Sequence, residues 1–293
     1  MLFLKSNIEV FKIDLYDYFG VERPNGGAGY LTCYIRERSW EINLNRRHPA
    51  MLVIPGGGYG MVSDREGEPV ALAFMVKGFN SFVLNYSIAP IRYPYQLTEA
   101  VMAVNYIKLN AEKLGVNPDM LSAVGFSAGG HLCASLGSYS NSEDVKAIFE
   151  SKVDSKPNAV ILSYPVITCG EKGHIGTFEN LCGSGNYELY KKMDILNLVD
   201  ENSSPAFIWA TYTDGCVPVR NAILVAEAYE RAGVPFSVHV WGKGTHGLSV
   251  ADKTVYGKAD DCYWALDDMS KSAYTWVDLA VEWLDEMNVG IND

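Results

Sequence analysis

The sequence predicts an α/β fold in which a mostly parallel sheet is covered by helices on both faces. Three observations lead to this prediction. Short continuous apolar runs, such as 50–54 and 159–164, are typical of strands buried on both faces. Segments with apolar residues at helical spacing separate these runs. Strands that alternate with helices are joined by right-handed crossovers and therefore form a parallel sheet.

The order of elements follows from these patterns. Residues 8–17 and 29–38 show weak apolar alternation on either side of the turn sequence Pro24-Asn25-Gly26-Gly27, which predicts two antiparallel strands. Further along, glycine or proline marks the ends of most elements. The remaining strands are expected at 50–54, 82–86, 120–124, 159–164, 205–211 and 236–241, and the helices at 66–78, 96–114, 131–136, 218–232 and 271–288.

Two segments interrupt this alternation. Residues 166–203 contain scattered glycines and aromatic residues with no clean period, which indicates a small, loop-rich, cap-like insertion with short helices over the strand ends. Residues 251–270 form a second insertion, which is polar and acidic. Because no internal repeat or low-complexity linker divides the chain, we expect residues 1–293 to form a single domain that carries both insertions.

Composition and charge argue against several classes of function. The formal net charge is −11, and no basic cluster beyond Arg46-Arg47 offers a surface for nucleic acid. No apolar run is long enough to span a membrane, and the N-terminus lacks the pattern of a signal peptide, so a cytoplasmic protein is expected. No metal-ligand spacing or nucleotide-binding glycine motif is present, so we expect neither metal nor cofactor. The oligomeric state stays open, with a homodimer as one option.

The most informative stretch is Gly125-Phe126-Ser127-Ala128-Gly129, which follows a predicted strand and precedes a predicted helix. G-x-S-x-G at such a corner is the pattern of a nucleophile elbow, with glycines where a Cβ would clash with neighbouring elements. The serine would then lie at a helix N-terminus, which favours an oxyanion. An ordinary turn with a serine N-cap is the alternative that this stretch alone leaves open.

A serine nucleophile needs a general base and an orienting carboxylate, and candidates for both follow strands further along the chain. His246 lies in a glycine-containing loop directly after the last predicted strand. Asp214 follows the strand at 205–211, where capping of the next helix is its alternative role. Ligands bind beyond the carboxyl ends of the strands in sheets of this kind, so these loops and Ser127 are expected to converge.

The other four histidines are weaker candidates for the base. His131 lies four residues into the elbow helix and is expected to be packed, and His239 lies within a strand. His48 stands at the opposite end of its strand. His174 belongs to the 166–203 insertion, where contact with substrate and exposure to solvent are both open readings.

An oxyanion hole is predicted from Gly56-Gly57-Gly58, which follows the buried strand at 50–54. Glycine lets backbone N–H groups approach a substrate closely, and donors preorganised toward developing charge contribute strongly to catalysis. The N–H of Ala128, directly after the serine, would add a donor from the elbow.

Together these segments resemble the α/β-hydrolase superfamily, and more narrowly the small acetyl-xylan esterases and xylanase-associated lipase/esterases related to the hormone-sensitive-lipase branch. The resemblance implies an α/β-hydrolase fold, an oxyanion hole at Gly57, Gly58 and Ala128, and short acyl esters, often acetyl groups on sugars, as substrates. Pro55 departs from the histidine of the lipase branch. The matching segments are 53–59, 63–71, 84–87, 125–132, 214–221 and 244–248.

The sequence therefore predicts a serine carboxylester hydrolase with Ser127 as nucleophile, His246 as general base and Asp214 as orienting acid. Its expected partner is a small ester or an acylated oligosaccharide. Two alternatives share the fold, namely a peptidase of the prolyl-oligopeptidase type and a non-catalytic binding protein on a hydrolase scaffold. The acyl length and the alcohol of the substrate depend on the two insertions, whose structure the sequence patterns do not predict.

Overall fold

The computed structural model describes residues 8–255 and 272–290, and an eight-stranded sheet forms its centre. The strand order is β1-β2-β4-β3-β5-β6-β7-β8. Strands β3 to β8 are mutually parallel, whereas β2 pairs antiparallel with both β1 and β4. The strands are β1 (Ile8–Asp14), β2 (Tyr30–Arg36), β3 (His48–Ile54), β4 (Asn80–Asn85), β5 (Val116–Phe126), β6 (Ala159–Ser163), β7 (Ala206–Thr211) and β8 (Phe236–Trp241).

Helices connect the strands and cover both faces of the sheet. Among the described residues, single 3₁₀ turns lie at Asp64–Glu66 and Ala273–Thr275. The α-helices are α1 (Leu15–Phe19), α2 (Glu68–Val76), α3 (Tyr95–Leu109), α4 (Ala111–Leu114), α5 (Ala128–Tyr139), α6 (Glu143–Lys146), α7 (Ile175–Cys182), α8 (Tyr187–Lys192), α9 (Ile195–Leu198), α10 (Arg220–Ala232) and α11 (Trp276–Glu286).

The sheet separates two apolar cores, because successive residues of a strand point to opposite faces. On one face, Leu52 and Ile54 of β3 belong to the core formed with α3, α5 and α10. On the other face, Met51 and Val53 belong to the core formed with α2 and α11. Burial on both sides explains why β3 is a continuous apolar run in the sequence. The predicted α/β class, with a mostly parallel sheet between helical layers, is confirmed.

Several predicted boundaries differ from the observed ones for local reasons. The first strand ends at Asp14, not at 17, because the Asp14 carboxylate accepts a hydrogen bond from the Asp17 N–H and caps α1. The predicted helix at 96–114 divides into α3 and α4 at Asn110, which caps the C-terminus of one and the N-terminus of the other. β5 begins before the predicted 120, at Val116.

The 166–203 insertion contains the three short helices α7, α8 and α9, in keeping with the expected mixture of loops and short helices. The predicted acidic insertion at 251–270 lies mostly outside the described residues. Within 8–255 and 272–290, the helices are all too short or too polar to cross a membrane.

Candidate active site

Ser127 occupies the sharp corner between β5 and α5. Its φ of 53° and ψ of −118° are unusual for a residue with a side chain, and such conformations typically cost about 1–3 kcal/mol. The backbone on both sides holds it there. The Ser127 N–H donates to the Ser163 carbonyl at 3.0 Å, and the Ser127 carbonyl accepts from His131 and Val166. The strain is therefore maintained by hydrogen bonds from β6 and α5.

The two glycines of the G-x-S-x-G pattern are required by close backbone approach. A Cβ on Gly125 would lie 2.1 Å from the Gly129 carbonyl oxygen, and one on Gly129 would lie 2.2 Å from the Ile54 carbonyl oxygen. Phe126, between them, packs against Tyr164 and Trp276 in the core. The interpretation of this stretch as a nucleophile elbow therefore explains both glycines, because a Cβ at either position would clash with backbone atoms.

Ser127, His246 and Asp214 form one hydrogen-bonded chain. His246 Nδ1 lies 2.7 Å from Asp214 Oδ2, and His246 Nε2 lies 2.8 Å from Ser127 Oγ. An ionised carboxylate only accepts, so Nδ1 carries the ring hydrogen and donates to Asp214. Nε2 then accepts from the serine hydroxyl, the geometry needed for proton removal. All three side chains are buried.

The loops that carry the acid and the base are joined to each other. The hydroxyl groups of Thr211 and Thr213 donate to the Gly244 carbonyl at 2.8 and 3.0 Å, and the Gly244 N–H donates back to Thr213 Oγ1. These bonds attach the loop after β8 to the loop after β7. These hydrogen bonds between the two loops hold His246 next to Asp214, in addition to the hydrogen bond between the two side chains themselves.

The segment 55–61, here named the glycine loop, lies against the elbow. A Cβ on Gly56 would come within 3.0 Å of the Ser127 Cβ. The Gly56 carbonyl accepts from Ser63, and the Gly57 carbonyl accepts from Gly60 and Met61. Because the C=O and N–H of a trans peptide point in opposite directions, these bonds direct the Gly57 and Gly58 N–H groups away from the turn.

Three backbone N–H groups are available as donors near Ser127. Within the described residues, the amides of Gly57, Gly58 and Ala128 donate to no protein acceptor. Ala128 is the first residue of α5, where an N–H has no partner inside the helix. The φ values of Gly57 and Gly58 are 123° and 63°, which residues with a side chain rarely adopt. The oxyanion hole at Gly57, Gly58 and Ala128 therefore stays a prediction, with three N–H groups that have no protein acceptor in the described part of the chain.

Glu66 and Tyr164 support the site, although sequence reasoning assigned neither a role. Glu66 is 3% exposed and accepts from the Gly56 N–H at 2.8 Å and from the Tyr164 hydroxyl at 2.7 Å. That hydroxyl also accepts from the Ser249 N–H, and the Tyr164 ring packs edge-on against His246. Glu66 thus connects the glycine loop to the loop that carries the base.

His131 is packed, as expected, and it also reaches the glycine loop. Its Nε2 donates to the Met193 carbonyl at 2.7 Å, so Nδ1 accepts from the Tyr59 hydroxyl at 2.9 Å. Burial lowers the pKa of His131 to about 4, which keeps the ring neutral. The elbow helix, the insertion and the glycine loop meet at this imidazole.

A cavity of about 570 Å³ opens above Ser127. His174 lines it, and its Nδ1 is 2.9 Å from Thr177 Oγ1. Burial, and then the nearby His246, lower the pKa of His174, so a neutral imidazole faces the cavity. The remaining two histidines lie elsewhere, since His48 begins β3 and His239, in β8, stacks on Phe207 of β7. Other cavity residues include Met61, Ser63, Arg65, Asn180 and Cys216.

Known proteins are similar in sequence to much of this chain. An endo-1,4-beta-xylanase B from Butyrivibrio fibrisolvens is 37% identical over 216 residues, which cover 72% of this chain and 34% of that protein. An acetylxylan esterase from Xylanibacter ruminicola is 28% identical, over 78% of this chain and 46% of its own length. The chain thus spans between a third and a half of these two relatives.

A solved structure extends the similarity over nearly the whole chain. The acetyl ester-xyloside bifunctional hydrolase from Caldicellulosiruptor lactoaceticus superposes with a TM-score of 0.78 at 29% identity, covering 96% of this chain and 97% of that one. The BD-FAE family model matches residues 41–229, which include Ser127 and Asp214. The chain therefore belongs to the BD-FAE family, in the esterase branch of the α/β-hydrolase superfamily.

Proposed function

We propose that this protein is a serine carboxylester hydrolase that acts on short-chain acyl esters of carbohydrates through an acyl-enzyme. One observation carries the proposal: the hydrogen-bonded chain from Asp214 through His246 to Ser127 ends in a cavity that the glycine loop also lines. This geometry supports Ser127 as nucleophile, His246 as base and Asp214 as orienting acid, next to the candidate oxyanion donors.

In the proposed reaction, Ser127 Oγ attacks the ester carbonyl while His246 Nε2 takes its proton. The negative charge that develops on the carbonyl oxygen is stabilised by the N–H groups of Gly57, Gly58 and Ala128. His246 then protonates the leaving alcohol, and Asp214 stabilises the imidazolium through Nδ1. A water molecule, deprotonated by the same histidine, then attacks the acyl-enzyme; the bond from the acyl carbon to Ser127 Oγ breaks, His246 returns the proton to Oγ, and the acid leaves.

The acyl group and alcohol are proposed from two kinds of support. The relatives include a protein named acetylxylan esterase and a structure described as an acetyl ester-xyloside hydrolase. The cavity itself offers polar side chains, among them Ser63, Arg65 and His174, that could bind the hydroxyl groups of a sugar. A carbohydrate alcohol offers several hydroxyl groups to such side chains, whereas a plain alkyl alcohol offers none beyond the ester oxygen.

The direct test compares the wild type with Ser127→Ala on p-nitrophenyl acetate and p-nitrophenyl butyrate. We expect the variant to lose about 10³-fold or more of kcat, because the nucleophile is absent. A fluorophosphonate should label Ser127 in the wild type alone. Equal rates for the two proteins would refute the assignment, and hydrolysis of acyl-peptide amides without any ester hydrolysis would identify a peptidase instead.

The carbohydrate part of the proposal needs a separate panel. Acetylated xylo-oligosaccharides are compared with p-nitrophenyl acetate and with p-nitrophenyl esters of increasing acyl length. Higher kcat/KM for acetylated sugars than for longer acyl esters is the expected result. A preference for long acyl chains would contradict the substrate assignment and leave the esterase chemistry intact.

A further inference from the structure

The glycine loop receives a hydrogen bond from the 166–203 insertion. Asn180, on helix α7, lies 2.8 Å from the Gly58 carbonyl oxygen. Because a carbonyl oxygen only accepts, the Nδ2 of Asn180 faces it and donates. The Gly56 carbonyl accepts from the Ser63 N–H just after the loop, and the Gly57 carbonyl accepts from Gly60 and Met61 within it. The Gly58 carbonyl, by contrast, is bonded by the side chain of Asn180, which lies 122 positions away in the sequence.

The residues around Asn180 leave room for its side-chain amide and fix the position of its helix. A Cβ on Gly60 would lie only 3.2 Å from Asn180 Nδ2, so the glycine leaves room for the amide. Helix α7 is anchored by Phe178 and Leu181, which are 0% and 2% exposed. The Leu181 carbonyl also accepts from the Tyr93 N–H at 2.9 Å. These contacts fix the turn of α7 that presents the Asn180 side chain.

The contact matters because Gly58, like Gly57, has no side chain to restrict its backbone. Its φ of 63° is open to glycine, and glycine loses the most conformational entropy on ordering. The Gly57 carbonyl bonds hold the peptide on one side of Gly58, and Asn180 holds the peptide on the other side. An N–H donor stabilises an oxyanion best when its direction is set before the reaction, without reorganisation.

We propose that Asn180 is a positioning residue that holds Gly58 in the orientation needed to donate to the oxyanion, and so couples the insertion to the reaction. This inference rests on the proposed function. It assigns the insertion a part in catalysis besides covering the cavity. Asn180 lines the cavity, but in this role it acts through Gly58, to whose carbonyl its Nδ2 donates.

The test uses Asn180→Ala, which removes the side-chain amide, and Asn180→Asp, which keeps its shape but replaces the donor with a carboxylate. Glu179→Ala, at an exposed neighbouring position on the same helix, is the matched control. For p-nitrophenyl acetate we expect kcat to fall about tenfold or more in both Asn180 variants, less than the 10²–10³ caused by removing an oxyanion donor outright. KM and the melting temperature should stay close to the wild-type values.

A second measurement separates positioning from a general loss of structure. A trifluoromethyl ketone adds to Ser127 and places an oxyanion in the hole, so its inhibition constant should rise by the same factor as kcat/KM falls. Rates within twofold of the wild type in either Asn180 variant, or an unchanged inhibition constant, would overturn the proposal. A loss as large in Glu179→Ala would also overturn it.

The role of Asn180 can be tested even if the proposed esterase function is wrong. If the wild type hydrolyses no ester, the esterase assignment fails, but the rate at which a fluorophosphonate labels Ser127 still compares the variants. Slower labelling in both Asn180 variants than in Glu179→Ala would support the positioning role in that case. Equal labelling rates would refute it.

Discussion

Replacing Asp214 with asparagine tests how the carboxylate orients His246. Asp214 Oδ1 accepts from the Cys216 and Val217 N–H groups, each at 2.9 Å, while Oδ2 accepts from His246 Nδ1. In the Asp214→Asn variant, the amide oxygen must keep the two backbone bonds, since an NH₂ group there would face two donors. The NH₂ group therefore faces His246 and donates to Nδ1.

That donation moves the ring hydrogen of His246 to Nε2. A protonated Nε2 can no longer accept the proton of Ser127, so the base is lost while the positions of the side chains stay the same. In the serine-protease example of this change, kcat falls about 10⁴-fold, and we expect a loss of that size. The free energy of unfolding should change by only about 1 kcal/mol, because all three hydrogen bonds keep a donor and an acceptor.

The assay measures kcat for p-nitrophenyl acetate at neutral pH, together with thermal unfolding. Asp200→Asn, at an exposed aspartate before β7, serves as the control and should retain the wild-type rate. A stable Asp214→Asn variant with kcat within tenfold of the wild type would refute the reasoning, because it would show that His246 works without a carboxylate to set its tautomer.

Three other parts of the structure can be tested in the same way. Gly129→Ala should destabilise the protein by about 1–3 kcal/mol in urea unfolding, because its Cβ would strike strand-end carbonyls 2.2 and 2.3 Å away; an equally stable variant would contradict this close approach. His174→Leu should lower kcat/KM for acetylated xylo-oligosaccharides about tenfold, because one hydrogen bond to a sugar hydroxyl is lost. The kcat/KM for p-nitrophenyl acetate, which has no sugar, should not change. Equal effects on both substrates would count against that contact. Burial lowers the pKa of His131 from 6.5 to about 4, so on acidification the unfolded chain binds a proton before the folded one does. The contribution of His131 to the free energy of unfolding is therefore fully present above pH 6.5 and falls by about 3 kcal/mol as the pH drops to 4. Urea unfolding of the wild type and His131→Gln across this range isolates the effect, and parallel pH profiles would disprove it.

Local patterns were sufficient for the fold class and the elbow. The apolar runs that became β3, β6 and β7 are buried on both faces, and such burial leaves a continuous signal in the sequence. Gly125 and Gly129 mark the corner because a Cβ at either position would strike backbone, from α5 at Gly125 and from the end of β3 at Gly129. The end of β1 was misjudged because the side chain of Asp14 caps a helix, and a weak alternation does not reveal this competition.

The supporting residues could not be recognised in the same way. Glu66 bonds to Tyr164 across 98 positions, and Asn180 bonds to Gly58 across 122. Neither contact belongs to a motif or a periodic pattern, and an isolated glutamate or asparagine is most often a surface residue. Only the packing of the insertion and the loops against one another brings these groups together.

The sequence by itself determined the α/β class, the order of strands and helices, and the chain order of Ser127, Asp214 and His246, because these depend on short-range pattern and glycine placement. The tertiary structure decided the rest: that His246 Nε2 lies 2.8 Å from a serine 119 positions earlier, and that Glu66 and Asn180 hold the glycine loop. The physical reason is that parallel strands bring their carboxyl ends to one edge, but the final few ångströms depend on loop hydrogen bonds between distant segments.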